Sequence, residues 1–273
     1  MRTRQVWMIT GAARGLGRAL TLAALSEGHV VVATVRGEHT LAPHERLHVR
    51  HLDVRDRAVA RVTVASVAEE LGRLDVLVNN AGYGLIGAVE EVGESEAEDL
   101  LATDLLGPLW LSQAAVPVMR SQGEGHVVQI STVGAVGTMP TLGLYNAAKW
   151  GLEGWTEAMA AEVAPFGIRT TIVQPGAMDT DWAAGSMRFA TPVPEYDDLR
   201  VGLFGTTEVP WPAGGTGGGT SPATIAAAVL AHVADRNDRR LRLLVGDDAP
   251  EQVRAALDKR IEDYRLDPRW LTA

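Results

Sequence analysis

Short apolar runs alternate along this chain with longer stretches in which apolar residues return every three or four positions. The runs Val6–Thr10, Val30–Val35, Leu47–Leu52, Val76–Asn79, Val127–Ser131, Thr170–Gln174 and Leu241–Val245 are nearly free of charge and rich in β-branched side chains. That pattern predicts strands covered on both faces. Segments 15–27, 57–72, 95–121, 144–164, 223–235 and 250–264 carry helical spacing. Alternating strands and helices predict an α/β fold: a doubly wound parallel sheet of about seven strands, with helices on both faces and right-handed crossovers. The expected organisation is a single domain over 1–273.

One segment, 177–221, breaks the rhythm. It holds Trp182, Phe189, Tyr196, Phe204 and Trp211, together with Pro192, Pro194, Pro210, Pro212 and the glycine-rich run 214–219. Turn-forming residues mixed with large apolar ones predict an irregular insertion after the sixth strand, on the side where such sheets bind ligands, and so a substrate lid. An oligomer contact or a satellite core is the other reading.

Composition narrows the class. Hydrophobic residues make up 46% of 273 residues, and mean hydropathy is near zero, as in globular domains. The chain shows no long apolar run and no signal-peptide pattern, so a cytoplasmic protein without a membrane segment is expected. A formal net charge of −9 argues against nucleic acid or an anionic membrane as partner. There is no cysteine, hence no disulfide and no thiolate metal site; His44, His48 and His51 are close in sequence but read as a loop-to-strand segment. No metal is expected.

The first predicted strand runs into Thr10-Gly11-Ala12-Ala13-Arg14-Gly15-Leu16-Gly17 and then a helix. Glycines in that context let the backbone turn tightly and approach a pyrophosphate held at the helix N-terminus, which is the dinucleotide-binding arrangement of a Rossmann fold. An acid at the end of the second strand would accept the ribose 2′-hydroxyl of NAD. Val35 stands there, Arg36 follows, and Arg14 lies in the glycine loop. Two cations and a missing acid predict a preference for NADP(H) over NAD(H).

Tyr145 and Lys149 lie four residues apart, on one face of a predicted helix, and only two of the 25 basic residues, Lys149 and Lys259, are lysines. A compact ammonium can sit beside a phenol and tune its acidity, where a planar guanidinium would recognise a flat oxyanion. A merely structural helix pair is the bland alternative.

Together with Asn79-Asn80-Ala81-Gly82 and Pro175-Gly176, these motifs resemble the short-chain dehydrogenase/reductase family, over nearly the whole chain and in the right order. Ala33–Arg36, Ala81–Leu85 and Leu241–Gly246 are similar to its NADP-preferring branch of 17β-hydroxysteroid and retinol-type enzymes. The resemblance implies hydride transfer between NADP(H) and an apolar ketone or secondary alcohol, with Tyr145 as general acid or base. It also implies that Lys149 and the positive nicotinamide favour the phenolate, and that Lys149 holds the nicotinamide ribose. Thr132, 13 residues before the tyrosine, would orient the substrate oxygen in place of the usual serine, with Ser131 as the lesser choice. Gly11, Arg14, Gly15, Leu16, Gly17 and Arg36 would hold the dinucleotide. Asp53 and Val54 would meet the adenine, Asn80, Ala81 and Gly82 the adenosine ribose region, and Pro175, Gly176 and Thr180 the nicotinamide. Asp104 stands where the family has a catalytic asparagine; it keeps that role through its main chain, or its carboxylate pairs with Lys149 instead. A homodimer or homotetramer is implied, with Trp110, Trp150 and Trp155 as candidate contacts; core packing explains these three equally well. The rivals are an NADP(H) sensor without turnover and a redox-neutral epimerase or dehydratase on the same fold.

Overall fold

A computed structural model describes residues 4–179, 187–209 and 218–272. Seven parallel strands form the main sheet: β1 (Val6–Thr10), β2 (Val30–Val35), β3 (Leu47–His51), β4 (Val76–Asn79), β6 (Gly125–Ile130), β7 (Ile168–Pro175) and β9 (Arg242–Val245). Their spatial order is β3-β2-β1-β4-β6-β7-β9. The order reverses between β1 and β4, which opens a crevice at their carboxyl ends. Each strand matches a predicted apolar run to within two residues at either end.

Helices cover both faces, as the unbroken apolar strands require. One core layer packs α1 (Gly15–Ser26) and α7 (Pro222–Ala234) on the sheet through Leu16, Leu20, Ile225 and Val229. The other packs α2 (Arg57–Leu71) and α4 (Gly107–Gln122) through Val64, Val67, Leu111 and Met119. α5 (Gly143–Val163) lies against β7 and carries Tyr145 and Lys149. α8 (Ala249–Arg265) follows β9. Among the described residues no helix is long and apolar enough to cross a membrane.

Two expectations change. The segment predicted as one helix over 95–121 is α3 (Glu94–Leu101), then a π-helical turn over Ala102–Leu106, then α4. The wider turn sets Thr103 and Asp104 inward, both buried, as such turns do at functional sites. The described part of 177–221 is also more regular than its composition predicted. β8 (Met187–Phe189) pairs with β5 (Gly84–Ile86) in a small second sheet, and α6 (Asp197–Phe204) follows. Glu91 anchors this part. Its carboxylate accepts from the Val193 amide and pairs with the buried guanidinium of Arg200. Both partners are distant in sequence, so no local pattern announces them. Trp182 and Trp211 lie outside the described residues.

Candidate active site

The crevice at the carboxyl ends of β1, β2 and β4 is a cavity of about 370 Å³. Its floor is laced by backbone. Thr10 Oγ1 accepts the amides of Asn80 and Ala81 at 2.9 and 3.0 Å, and the Asn80 side-chain amide donates to Thr10 O at 2.8 Å. These bonds clamp the glycine loop to the end of β4. A Cβ at Gly17 would stand 2.3 Å from Gly11 O and 2.5 Å from Asn80 Nδ2, so only glycine lets helix and loop close up. α1 begins without a capping side chain, which leaves its first amides for an anion. A pyrophosphate therefore suits this cradle.

Of the residues expected on the dinucleotide, Gly11, Arg14, Gly15, Leu16, Gly17, Arg36, Val54, Asn80, Ala81, Gly82, Tyr145 and Lys149 line this cavity. Asp53 does not. Its carboxylate is tied to Arg55, two residues on, at 2.7 Å, and that pairing, with Arg36 nearby, holds it below the usual carboxylate range. Leu52 and Val54, on either side of it, line the cavity instead. Pro175 and Gly176 line a second, larger cavity, and Thr180 lies outside the described residues. Glu38 faces the first cavity beside Arg36; it sits three residues past β2, beyond the position that the motif inspects.

The second cavity is about 810 Å³. Its walls are mostly apolar: Val133, Val136, Met139, Leu142, Trp150 and Met178. Ser131, Tyr145 and Met178 are the residues common to both cavities. Trp150, expected at a subunit contact, belongs to this wall; its indole donates to Gly134 O at 3.3 Å and lies under Arg260. The β6–α5 loop here carries Thr141 at φ 70°, a left-handed conformation that a β-branched residue rarely adopts.

At the junction of the cavities Tyr145 is buried, and its phenol hydrogen-bonds the Thr132 side chain. Thr132 also accepts the Gly134 amide at 3.1 Å. Ser131 turns the other way and donates to the buried Glu153 carboxylate at 2.6 Å. Glu153 further accepts from Gln174 at 2.9 and 3.0 Å and pairs with Arg242 at 3.4 Å. The sequence reading missed Glu153. Its one signal was an acid a helical turn after Lys149, on a face that must be buried.

Lys149 donates to Ile130 O at 3.2 Å and meets Asp104 Oδ2 at 3.2 Å. Asp104 is fully buried and also accepts the Tyr83 amide at 3.1 Å through Oδ1. The carboxylate thus pairs with the lysine through its side chain, the second of the two arrangements the sequence allowed. Burial pushes the Asp104 carboxyl up, with Lys149 and the Tyr83 amide pulling the other way. The expected lowering of the Tyr145 phenol does not occur in the protein alone. Burial and the Asp104 charge push it well above its ordinary value, and the Thr132 hydrogen bond only partly offsets them. Lys149 sits 5.8 Å from the centre of the Tyr145 ring, with its charge directed to Asp104.

Comparison with known proteins agrees with this architecture. A family model described as short chain dehydrogenase matches residues 5–189. Oxidoreductase BOA17 of Botryotinia fuckeliana is 36% identical over 274 residues, spanning 96% of this chain and 98% of its own length. The crystal structure of a short-chain dehydrogenase from Streptomyces avermitilis is 35% identical, with a TM-score of 0.88 over 99% of this chain and 98% of that one. A metagenomic short-chain oxidoreductase solved in complex with NADP is 25% identical, with a TM-score of 0.66 over 88% of this chain and 96% of that one.

Proposed function

The chain belongs to the short-chain dehydrogenase family, and on that premise we propose that it reduces an apolar ketone, or oxidises the matching secondary alcohol, using NADP(H). The observation that carries this reading is Tyr145, a phenol standing where a cradle suited to a dinucleotide opens into a larger apolar cavity. Bound NADPH supplies the hydride. Tyr145 protonates the carbonyl oxygen, and its raised pKa keeps it in the acid form until a substrate takes the proton. Thr132, already bonded to that phenol, steers the same oxygen. Lys149, fixed by Asp104 and Ile130 O, would hold the nicotinamide ribose hydroxyls. Met178, near the start of segment 177–221, lines both cavities, and we read the described part of that segment as the cover of the cleft.

Arg14 and Arg36 on the cavity wall and Val35 at the strand end favour the 2′-phosphate, and the NADP complex of the metagenomic relative agrees. Glu38 favours a second reading, NAD(H), since this acidic residue lines the same cavity. Comparing KM for NADPH and NADH separates the two.

The test is NADPH consumption over a panel of ketones, repeated with Tyr145→Phe. Turnover should fall by about 10³ while NADPH still binds. NADPH bound but never consumed would replace the enzyme by a sensor, and product at constant NADPH would replace the reductase by an isomerising enzyme.

A further inference from the structure

α8 lays one face along the larger cavity: Gln252, Ala255, Ala256, Lys259, Arg260 and Asp263 recur at helical spacing and line it together. The helix is held down at that face. Arg260 donates to Val136 O at 2.6 Å, and its guanidinium lies 4.7 Å from the centre of the Trp150 ring. The wall therefore runs from small apolar residues to a pair of adjacent cations. Several arginines on this surface are answered by carboxylates, such as Arg50 by Glu70, Arg73 by Asp75 and Arg242 by Glu157. Among the described residues, no carboxylate lies within 4 Å of Lys259 or Arg260, although Asp263 stands one turn on from Lys259 along the same wall.

The choice of cation points the same way. Arginine supplies 23 of the 25 basic residues, and the two lysines both line the cleft: Lys149 the dinucleotide cavity and Lys259 the larger one. A compact ammonium on a flexible stem reaches a ligand's carboxylate without needing planar alignment. In a chain of net charge −9, two adjacent cations at the rim of an apolar cavity form a local attraction for an anion.

We propose that the substrate is an apolar keto acid whose carboxylate, remote from the ketone, is bound by Lys259 with Arg260 beside it. The proposal rests on the reductase reading and names its substrate class. In the reaction the carbonyl carbon gains the hydride of NADPH, the oxygen gains the Tyr145 proton, and the carboxylate leaves unchanged with NADP⁺ as co-product. Apolar length between ketone and carboxylate follows from the mostly apolar lining of the one cavity that Tyr145 and Lys259 share.

The experiment compares a homologous series of straight-chain keto acids with their methyl esters, using the full chain and NADPH. At the chain length that spans the cavity, the acid should show kcat/KM about tenfold above its ester. That preference should shrink as salt rises, because the cations are exposed. Lys259→Gln should lower the acid-over-ester ratio about tenfold, Lys259→Arg should restore part of it, and Lys259→Glu should reverse it. Equal rates for acid and ester at every length, or a ratio indifferent to Lys259, would overturn the proposal. Should no ketone be consumed, the reductase reading fails separately. Calorimetry with the saturated carboxylates in the presence of NADP⁺ then decides the anion site: Lys259-dependent binding upholds it, and no binding removes it.

Discussion

The two cavities that meet at Tyr145 are built from different materials. The dinucleotide side is shaped by main chain: glycines pressed against one another, Thr10 and Asn80 tying loop to strand, and an uncapped helix start. The larger cavity is shaped by side chains from the β6–α5 loop, α5, the end of β7 and α8. Backbone geometry tolerates almost no substitution, whereas a wall of side chains can be exchanged piece by piece with the fold intact. A constant grip on the cofactor beside an adjustable substrate cleft is the consequence.

Breaking the backbone side should cost most in cofactor binding. Gly17→Ala places a methyl against Gly11 O and Asn80 Nδ2, and such overpacking destabilises by about 1–3 kcal/mol. NADPH affinity should drop by about 100-fold or more, since loop and helix start must separate to admit it. Dye-monitored melting and NADPH fluorescence titration check both figures; a variant that binds NADPH normally would mean that the cradle is not set by this contact. Glu153→Ala tests the floor under the side-chain half. It strips the partner from the buried Ser131 hydroxyl and Gln174 amide, for an expected loss of about 2–4 kcal/mol by denaturant titration. Glu153→Gln should cost less, because a polar group of the same shape remains. Equal stability of all three proteins would mean that Glu153 supports nothing.

Arg36→Ala should raise KM for NADPH about tenfold and leave KM for NADH nearly unchanged, the size expected for one charge-assisted contact at an exposed site. Glu38→Ala should raise KM for NADH alone, which moves the ratio of the two KM values the other way. If both substitutions leave the ratio of the two KM values untouched, cofactor choice does not reside at the end of β2.

The contrast between the two halves also explains what was readable from the amino-acid order. Strands β1, β2 and β4 stand where the apolar runs placed them, and the glycine loop and Asn80 face the crevice, because backbone requirements leave local marks. β5 and β8 were invisible: three residues each, they exist through pairing with one another across about a hundred positions. The wall from α8 was equally hidden, since Lys259 and Tyr145 come together only in the folded chain. Asp53 illustrates the reverse error, in which a matching position is captured by its neighbour Arg55. The π-helical turn at 102–106 was read as plain helix because its apolar spacing differs from helical periodicity by one residue only.

Asp104 sits where the halves join, and Asp104→Asn gives an expected shift in pH dependence with the clearest sign. The Asp104 charge is one cause of the raised Tyr145 pKa, second to burial. Replacing it by a neutral amide removes that contribution, so the phenol pKa must fall. Alcohol oxidation needs the phenolate, so its rate should rise at lower pH in the variant than in the parent. Ketone reduction needs the protonated phenol, so its alkaline loss should also begin at lower pH. Both limbs therefore move toward acid together, with the direction fixed by charge alone. Paired pH profiles of kcat/KM in the two directions measure this. Profiles that stay in place would mean that Lys149, 3.2 Å from Oδ2, already cancels the carboxylate at the phenol. Profiles that move toward alkali would mean that the lysine left behind has moved away from Tyr145, and that Asp104 acts by holding it.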